Sequence, residues 1–342
     1  LERLYWPVTT QETGVDTLPL SRHFRVAGSV VMRDSWDFKN ATLLDFKSSN
    51  LASENHQHLD QNSFSMYYKA PLLLDSGLYD EYYSYHWNNY FTRSIAHNTI
   101  TVYDASERFV KSGKEFSNDG GQWYPSVLYP TLEEIQPGAS NYLDGVSKYE
   151  YGSNWTFVTG NASKAYNSGK LDQSNGFLRS VVFLRAPTFW QKPVTVVFDS
   201  VRTKKSLPAT FVLHPAGNPV AGTPVADITP VSVSAGVYDL PFAAGSQRIF
   251  TVRNGDGMLT AQTILPVNAK VQKIGGKGNA NCSQINPADG TIASANSDCR
   301  FLVRDNNLAW RNYPIKYVSG STTMTPQGSY VSPEIGEWRL EI

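Results

Sequence analysis

The sequence predicts an all-β protein built as a large antiparallel β-sandwich. Three observations point there. Short runs rich in β-branched and aromatic residues recur along the chain. Turn formers separate them, with 25 Gly and 19 Pro in 342 residues. Sustained helical periodicity is missing. Many short strands closed by frequent turns are the pattern of a sandwich.

The elements follow in chain order. Phe64–Tyr68 and Pro71–Asp75 are two apolar runs broken at Lys69-Ala70. Thr99–Tyr103 alternates at period 2, as a half-buried strand does. Arg179–Leu184, Val194–Phe198 and Ala209–Leu213 are dense in Val, Phe and Leu. Arg248–Val252 and Met258–Gln262 flank Asn254-Gly-Asp-Gly257, a strong hairpin signal. Arg300–Arg304 and Leu308–Arg311 flank a second turn, Asp305-Asn-Asn307. Pro215 to Gly245 is rich in Ala, Pro, Val and Gly and reads as a decorated edge or a seam. Gly275 to Ser297 reads as a surface loop. The expected division is a main sandwich over 1–245 and a C-terminal extension or small second sandwich over 246–342.

Composition narrows the function. Lys+Arg and Asp+Glu both number 30, for a net charge of zero. A broad basic surface for nucleic acid is therefore not expected. No apolar run reaches the about 18 residues of a membrane helix. Aromatics at 13% argue for a folded core and against disorder. The chain opens Leu1-Glu2-Arg3-Leu4, without Met, as a processed product or part of a longer chain does. Cys282 and Cys299 flank a Gly/Asn/Ser-rich stretch. A disulfide pinning that loop is the expected reading, worth about 3 kcal/mol. It implies an oxidising compartment, periplasmic or secreted.

The chemistry concentrates in Glu54-Asn-His-Gln-His-Leu-Asp60, then Leu74-Asp-Ser-Gly-Leu-Tyr79, then Arg93-Ser-Ile-Ala-His-Asn-Thr99. Three of the six histidines lie there. On an extended strand, His56 and His58 point to the same face. Strand ends meeting at one edge bring His58, Asp75 and His97 together. Two neutral imidazoles and a carboxylate suit Zn²⁺, with water in the fourth position. Ca²⁺ or Mn²⁺ are the alternatives for a looser site. Asn55, Asp60 and Asn98 are placed to orient the rings from behind. The bland alternative is a set of hydrogen-bonded structural histidines. His23 and His214 are read that way, His86 has no motif behind it, and Asp199 is read as ordering a turn.

These three pieces, in this order and spacing, resemble the signature of the heparinase II/III-like polysaccharide lyases, a group that includes alginate and oligoalginate lyases. Arg33-Asp-Ser-Trp36 resembles the opening of the same β domain. Trp155–Gly160, Arg179–Leu184, Val196–Val201 and Val212-Leu-His214 resemble its later strands. The likeness spans roughly residues 20–260 and is specific around 54–104.

The resemblance implies a C-terminal β-sandwich domain beside an N-terminal (α/α) helical toroid, with an acidic polysaccharide in the cleft between. It implies a metal held by His58, Asp75 and His97. It places His56 against the substrate, and a tyrosine of the 79–85 interval, Tyr83 by spacing, in proton transfer. Arg93 and Asn98 are the expected substrate-binding residues; for Arg93, a sheet-face arginine paired with an acid is the competing reading. The aromatic interval Tyr79–Phe91 is expected to pack sugar faces or the sheet. The toroid, which carries the family's Asn, His and Tyr, is expected to be absent from this chain, supplied by the same gene or a companion chain. Without it, activity is expected to be weak or nil. The competing functions are a non-catalytic carbohydrate-binding or scaffold module with a structural metal, and a metal-dependent hydrolase.

Overall fold

The computed structural model describes residues 14–51, 56–111, 113–123, 130–185, 192–222, 227–316 and 336–342. The described chain is nearly all β. A five-stranded sheet runs in sequence order through Ser21–Phe24, Ser29–Arg33, Thr42–Lys47, Ser63–Tyr68 and Ala70–Leu73. A four-stranded sheet follows in the same way, through Gly145–Tyr151, Trp155–Asn161, Phe177–Leu184 and Val194–Val201. Ile100–Val102 and Ala209–Leu213 join a six-stranded sheet that also takes in Gln272–Gly275 and Trp338–Glu341. Pairing is antiparallel throughout the named strands, apart from one parallel bridge between Gln284 and Asn312.

Burial alternation explains the layering. In Thr42–Lys47 and in Phe177–Leu184, every second residue is buried. Each strand therefore turns one face inward. Val30, Leu44, Phe46 and Phe64 of the first sheet meet Val158, Val181 and Phe183 of the second in one core. Phe250, Val271 and Leu340 belong to that same core. Residues from both sides of the boundary expected near 245 thus share one apolar interior.

The Asn254 hairpin forms as the sequence indicates. Asn254 pairs with Gly257, and Gly255 takes φ 51°, which costs glycine nothing. Val231–Ser234 is the exposed edge of the six-stranded sheet, in the segment read as a decorated edge. The segment read as a loop, 275–297, is instead a hairpin of Lys277–Ile285 and Ile292–Asp298. Ile292–Asp298 is exposed almost throughout. No apolar alternation marks it, because main-chain pairing holds it rather than side-chain burial. Cys282 and Cys299 form the expected disulfide, with Cα atoms 5.6 Å apart. Both are buried beside Val237, Ile274 and Leu302.

One interior ion pair joins the sheets to the loops above them. Asp199 does not order a turn. It lies inside Val194–Val201 and accepts two 2.7 Å hydrogen bonds from Arg179 Nε and Nη2. Arg179 Nη1 donates to the carbonyls of Asn62 and Asn98, each at 2.7 Å. The guanidinium is fully buried among Phe64, Phe177 and Phe211. Removing the carboxylate strands a charge in that interior. Asp199→Ala is therefore expected to cost about 3–5 kcal/mol, read from urea denaturation. Phe198→Ala, next door but 61% exposed, is expected to stay within about 0.5 kcal/mol. Equal effects would contradict this reading.

A candidate metal centre beside an aromatic and cationic groove

Three segments are sewn side by side by their backbones. Leu59 N–H donates to the Thr92 carbonyl at 2.8 Å, and the Leu59 carbonyl accepts from Ser94 Oγ at 2.6 Å. Thr99 Oγ1 donates to the Gln61 carbonyl at 3.0 Å. Residues 58–62 therefore run along residues 92–99. On the other side, Ser76 N–H donates to Ala96 O at 2.8 Å, and Asn98 Nδ2 donates to Leu74 O at 3.0 Å. His97, which ends the short helical turn Ser94–Ala96, is thus flanked by both neighbours.

The side chains converge accordingly. The rings of His58 and His97 lie 5.1 Å apart, centroid to centroid. Ligand-capable atoms of His58, Asp60 and His97 all lie within 4.8 Å of one another. Asp75 Oδ1 lies 2.9 Å from His97 Nδ1. That contact pairs Nδ1 with the carboxylate, while Nε2 of His97 has no hydrogen-bond partner among the described residues. Asp60 Oδ2 takes a 2.7 Å ion pair from Lys47, while its Oδ1 is buried and unsatisfied. Buried polar atoms without partners are costly and rare. Several lone-pair donors facing one another in this state are what a cation would satisfy, so the residues fit a metal.

Asp60, expected behind the ligands, is brought into the cluster because it sits two residues after His58 in the same irregular turn. Asp75 stands against His97. The extended-strand reading of His56 and His58 does not hold: residues 56–60 form no strand, and His56 takes φ 62°. The two imidazoles consequently have different surroundings. His58 packs on Phe91 and His97. His56 is exposed beside Tyr79 and Tyr82. Trp87 touches both rings. Asn55 lies outside the described residues.

His56 stands on a groove that Tyr82, Tyr83 and Arg93 also line. Lys111 and Trp123 complete it. No carboxylate is among its described lining residues. Arg93 is buried and paired with Asp119, as its competing reading held, yet its Nε and Nη1 have no hydrogen-bond partner among the described residues. Its guanidinium lies 4.3 Å from the Phe109 ring centre. Burial lowers the Lys111 pKa. Lys111 and Trp123 carry no motif; Lys111 arrives through the small hairpin Phe109–Lys111 and Lys114–Phe116, whose register nothing in the sequence announces, and Trp123 follows it, its N–H donating to the Ala165 carbonyl.

Other residues go to the interior. Asn98 is fully buried: its amide donates to Phe64 O and Leu74 O, and its oxygen accepts from His214 N–H. His214 and His86 are buried and bonded to the carbonyls of Ile95 and Tyr313, each at 2.7 Å. The aromatic interval divides: Trp87 and Tyr90 are buried, while Tyr79, Tyr83 and Tyr85 are exposed.

Electrostatics separate the two cluster histidines. Burial, helped by His97, pushes the His58 pKa down from 6.5 to about 4. Burial also works against a charged His97, but the Asp75 carboxylate outweighs it and the His97 pKa rises. Asp75 moves the opposite way: burial pushes its pKa up, His97 pulls harder, and the net shift is down. Protein atoms crowd Asp75, yet 49% of its side chain is open, so solvent screens the pair.

The metal-free protein therefore has two opposed pH responses. The His97 pairing stabilises fully below the ordinary imidazole pKa and is lost as pH rises through the raised one. Neutral burial of His58 stabilises above about 6.5 and is lost as pH falls toward about 4. In urea titrations with chelator, His58→Gln is expected to flatten the acid limb, by at most about 3 kcal/mol. His97→Gln is expected to flatten the decline that begins as pH rises past the ordinary imidazole pKa. Profiles that superimpose on wild type would contradict the assignment.

A family model described as "Heparinase II/III-like, C-terminal" matches residues 16–270. Among solved structures, a heparinase III gene product is similar at 15% identity and TM-score 0.41, over 81% of this chain and 32% of that one. The chain thus spans about a third of that protein's length. A search of curated proteins finds no match.

Proposed function

The chain belongs to the heparinase II/III-like C-terminal domain family, and from that premise we propose that it is the β-sandwich part of a lyase that cleaves uronate-containing polysaccharide by β-elimination. The observation that carries the proposal is the groove. Its described lining residues include Lys111, His56 and the wall residue Arg93, which Asp119 pairs from behind, and no carboxylate, and it lies beside aromatic rings and the His58–His97 cluster. Such a surface favours an anionic sugar polymer. The disulfide fits a periplasmic or secreted protein. Among the described residues, no helix is long and apolar enough to cross a membrane.

Elimination demands three things of a protein. The uronate carboxylate must be neutralised, so that the C5 proton becomes acidic. A base must take that proton while charge builds on the carboxylate oxygens. An acid must protonate O4 as the glycosidic bond breaks. In this proposal His56 meets the sugar carboxylate directly, and Arg93, buried and paired with Asp119, shapes the groove wall behind it. The phenol of Tyr83 moves the proton at C5 or O4. A helical toroid, from the same gene or a companion chain, supplies the facing wall and its own proton-transfer groups.

His58, His97 and Asp75 hold the metal, and Asp60 is close enough to offer a further oxygen. Two imidazoles and two carboxylates make a neutral N/O set suited to Zn²⁺. When bound, the ion supplies positive charge and rigidity at the rim of the groove. It also gives the buried atoms His97 Nε2 and Asp60 Oδ1 the partner they lack among the described residues.

Two measurements test the proposal. With the full-length gene product and uronate oligosaccharides, elimination leaves a conjugated 4,5-double bond that absorbs in the ultraviolet. His56→Ala and Tyr83→Phe are each expected to lower that rate by about 10²–10⁴. New chain ends without the absorbance would make the protein a hydrolase, and binding without new ends would make it a carbohydrate-binding module. Separately, Zn²⁺ titration is expected to show one site per chain, weakened at least about tenfold by His58→Ala or His97→Ala. Zinc uptake unchanged in both variants would remove the metal from the account.

A further inference from the structure

The groove's tyrosine segment is fastened at three points by residues that lie beyond 270, where the family match ends. Asp80 Oδ2 accepts a 2.7 Å hydrogen bond from the Lys316 N–H. Tyr85 Oη donates to the Asp289 carbonyl at 2.9 Å. His86 Nδ1 lies 2.7 Å from the Tyr313 carbonyl. Phe301 adds a ring against His86, with centroids 4.7 Å apart. The Lys316 ammonium pairs with Glu81.

These contacts bracket residues 81–84. Within them Tyr83 takes φ 64°, a left-handed conformation that side-chain-bearing residues adopt reluctantly. Such strain persists where the surroundings fix it. From inside the segment, Asp80 Oδ1 accepts hydrogen bonds from Glu81 N–H and Ser84 Oγ. From outside, the C-terminal sheet holds both ends. Its outer contact is the turn that joins Lys277–Ile285 to Ile292–Asp298, the hairpin whose base the Cys282–Cys299 disulfide closes. Gly290 lies so close to Tyr85 that an added Cβ would meet the ring at 2.2 Å.

We infer that the disulfide-pinned sheet over 277–316 is a positioning element of the groove, holding the 80–86 segment so that Tyr83 is presented in its left-handed turn. Asp80, Tyr85 and the residues that grip them are positioning residues, and none of them is among the groove's described lining residues. The functional meaning rests on the reading of Tyr83 given above. The mechanical claim does not, and its test uses neither substrate nor metal.

The test places a fluorinated tyrosine at position 83 and follows its ¹⁹F resonance, with amide hydrogen exchange over 79–91 measured in parallel. Tyr85→Phe removes one external fastening and keeps the ring against Gly290, whereas Asp80→Ala removes the Lys316 bond together with the two bonds inside the segment. Each variant is expected to shift or split the Tyr83 resonance. Tyr85→Phe is also expected to raise exchange in 79–91 by about fivefold, the effect of one net hydrogen bond, and Asp80→Ala by at least as much, while exchange in Phe177–Leu184 stays at wild-type level. Val110→Ala, on the exposed face of the small hairpin, is the control and should change neither. Gly290→Ala should reproduce the Tyr85→Phe result by pushing the turn away. An unchanged resonance and unchanged exchange in both fastening variants would overturn the inference. So would a loss of protection spread evenly over the whole chain. Failure of elimination activity in the full-length protein would leave the exchange result standing, so the two claims fail separately.

Discussion

The arrangement of the site depends on one buried guanidinium. Arg179 sits at zero exposure inside an apolar ring of three phenylalanines. A charge there is tolerable only if it is neutralised and its donors are used. Asp199 neutralises it from the neighbouring strand. The remaining bonds reach the carbonyls of Asn62 and Asn98, which belong to two different motif segments. Asn98 passes the constraint on, since its amide binds Leu74 O and its oxygen receives the His214 N–H. One residue thus fixes the chain next to His97, next to Asp75 and shortly after His58.

Above that base the site divides into an interior half and an open half. His58 and His97 face each other with Asp60 and Asp75 around them, enclosed enough that burial and mutual charge set their protonation. His56, two residues from His58, turns out through its positive φ toward the tyrosines. The left-handed residue separates the two imidazoles: one goes to the cluster and the other to the groove. On the proposed reading, the ion and the sugar are therefore neighbours that share Trp87 as a common wall.

Much of this was legible in the sequence where local pattern and burial coincide. Phe177–Leu184 alternates because one face is core, and its composition announces it. The Asn254 hairpin is announced by its turn. Of the metal-type cluster, His58 and His97 were legible as motif pieces, but the carboxylate that converges with them within 4.8 Å is Asp60, and Asp75 stands against His97. What escaped was decided by long-range contact. Asp199 looks like a turn former until Arg179 is seen opposite it. The polar hairpin 277–298 has no apolar period, because it faces solvent and is held by main chain and a disulfide. Asn98 reads as a polar site residue, but its amide is the sort of group a loop uses to satisfy buried carbonyls. Asp60 and Lys111 join the site through an irregular turn and a short hairpin, neither of which leaves a periodic trace.

The central claim is that distant segments of the chain converge on a single cation at the rim of an anion-binding groove. Anomalous diffraction from zinc-soaked crystals, collected on either side of the zinc absorption edge, tests it most directly. The account predicts one strong peak per chain, touching the imidazoles of His58 and His97 and at least one of the carboxylates of Asp60 and Asp75. Crystals with no peak there, or with His58 and His97 each bonded only to protein and water, would contradict it.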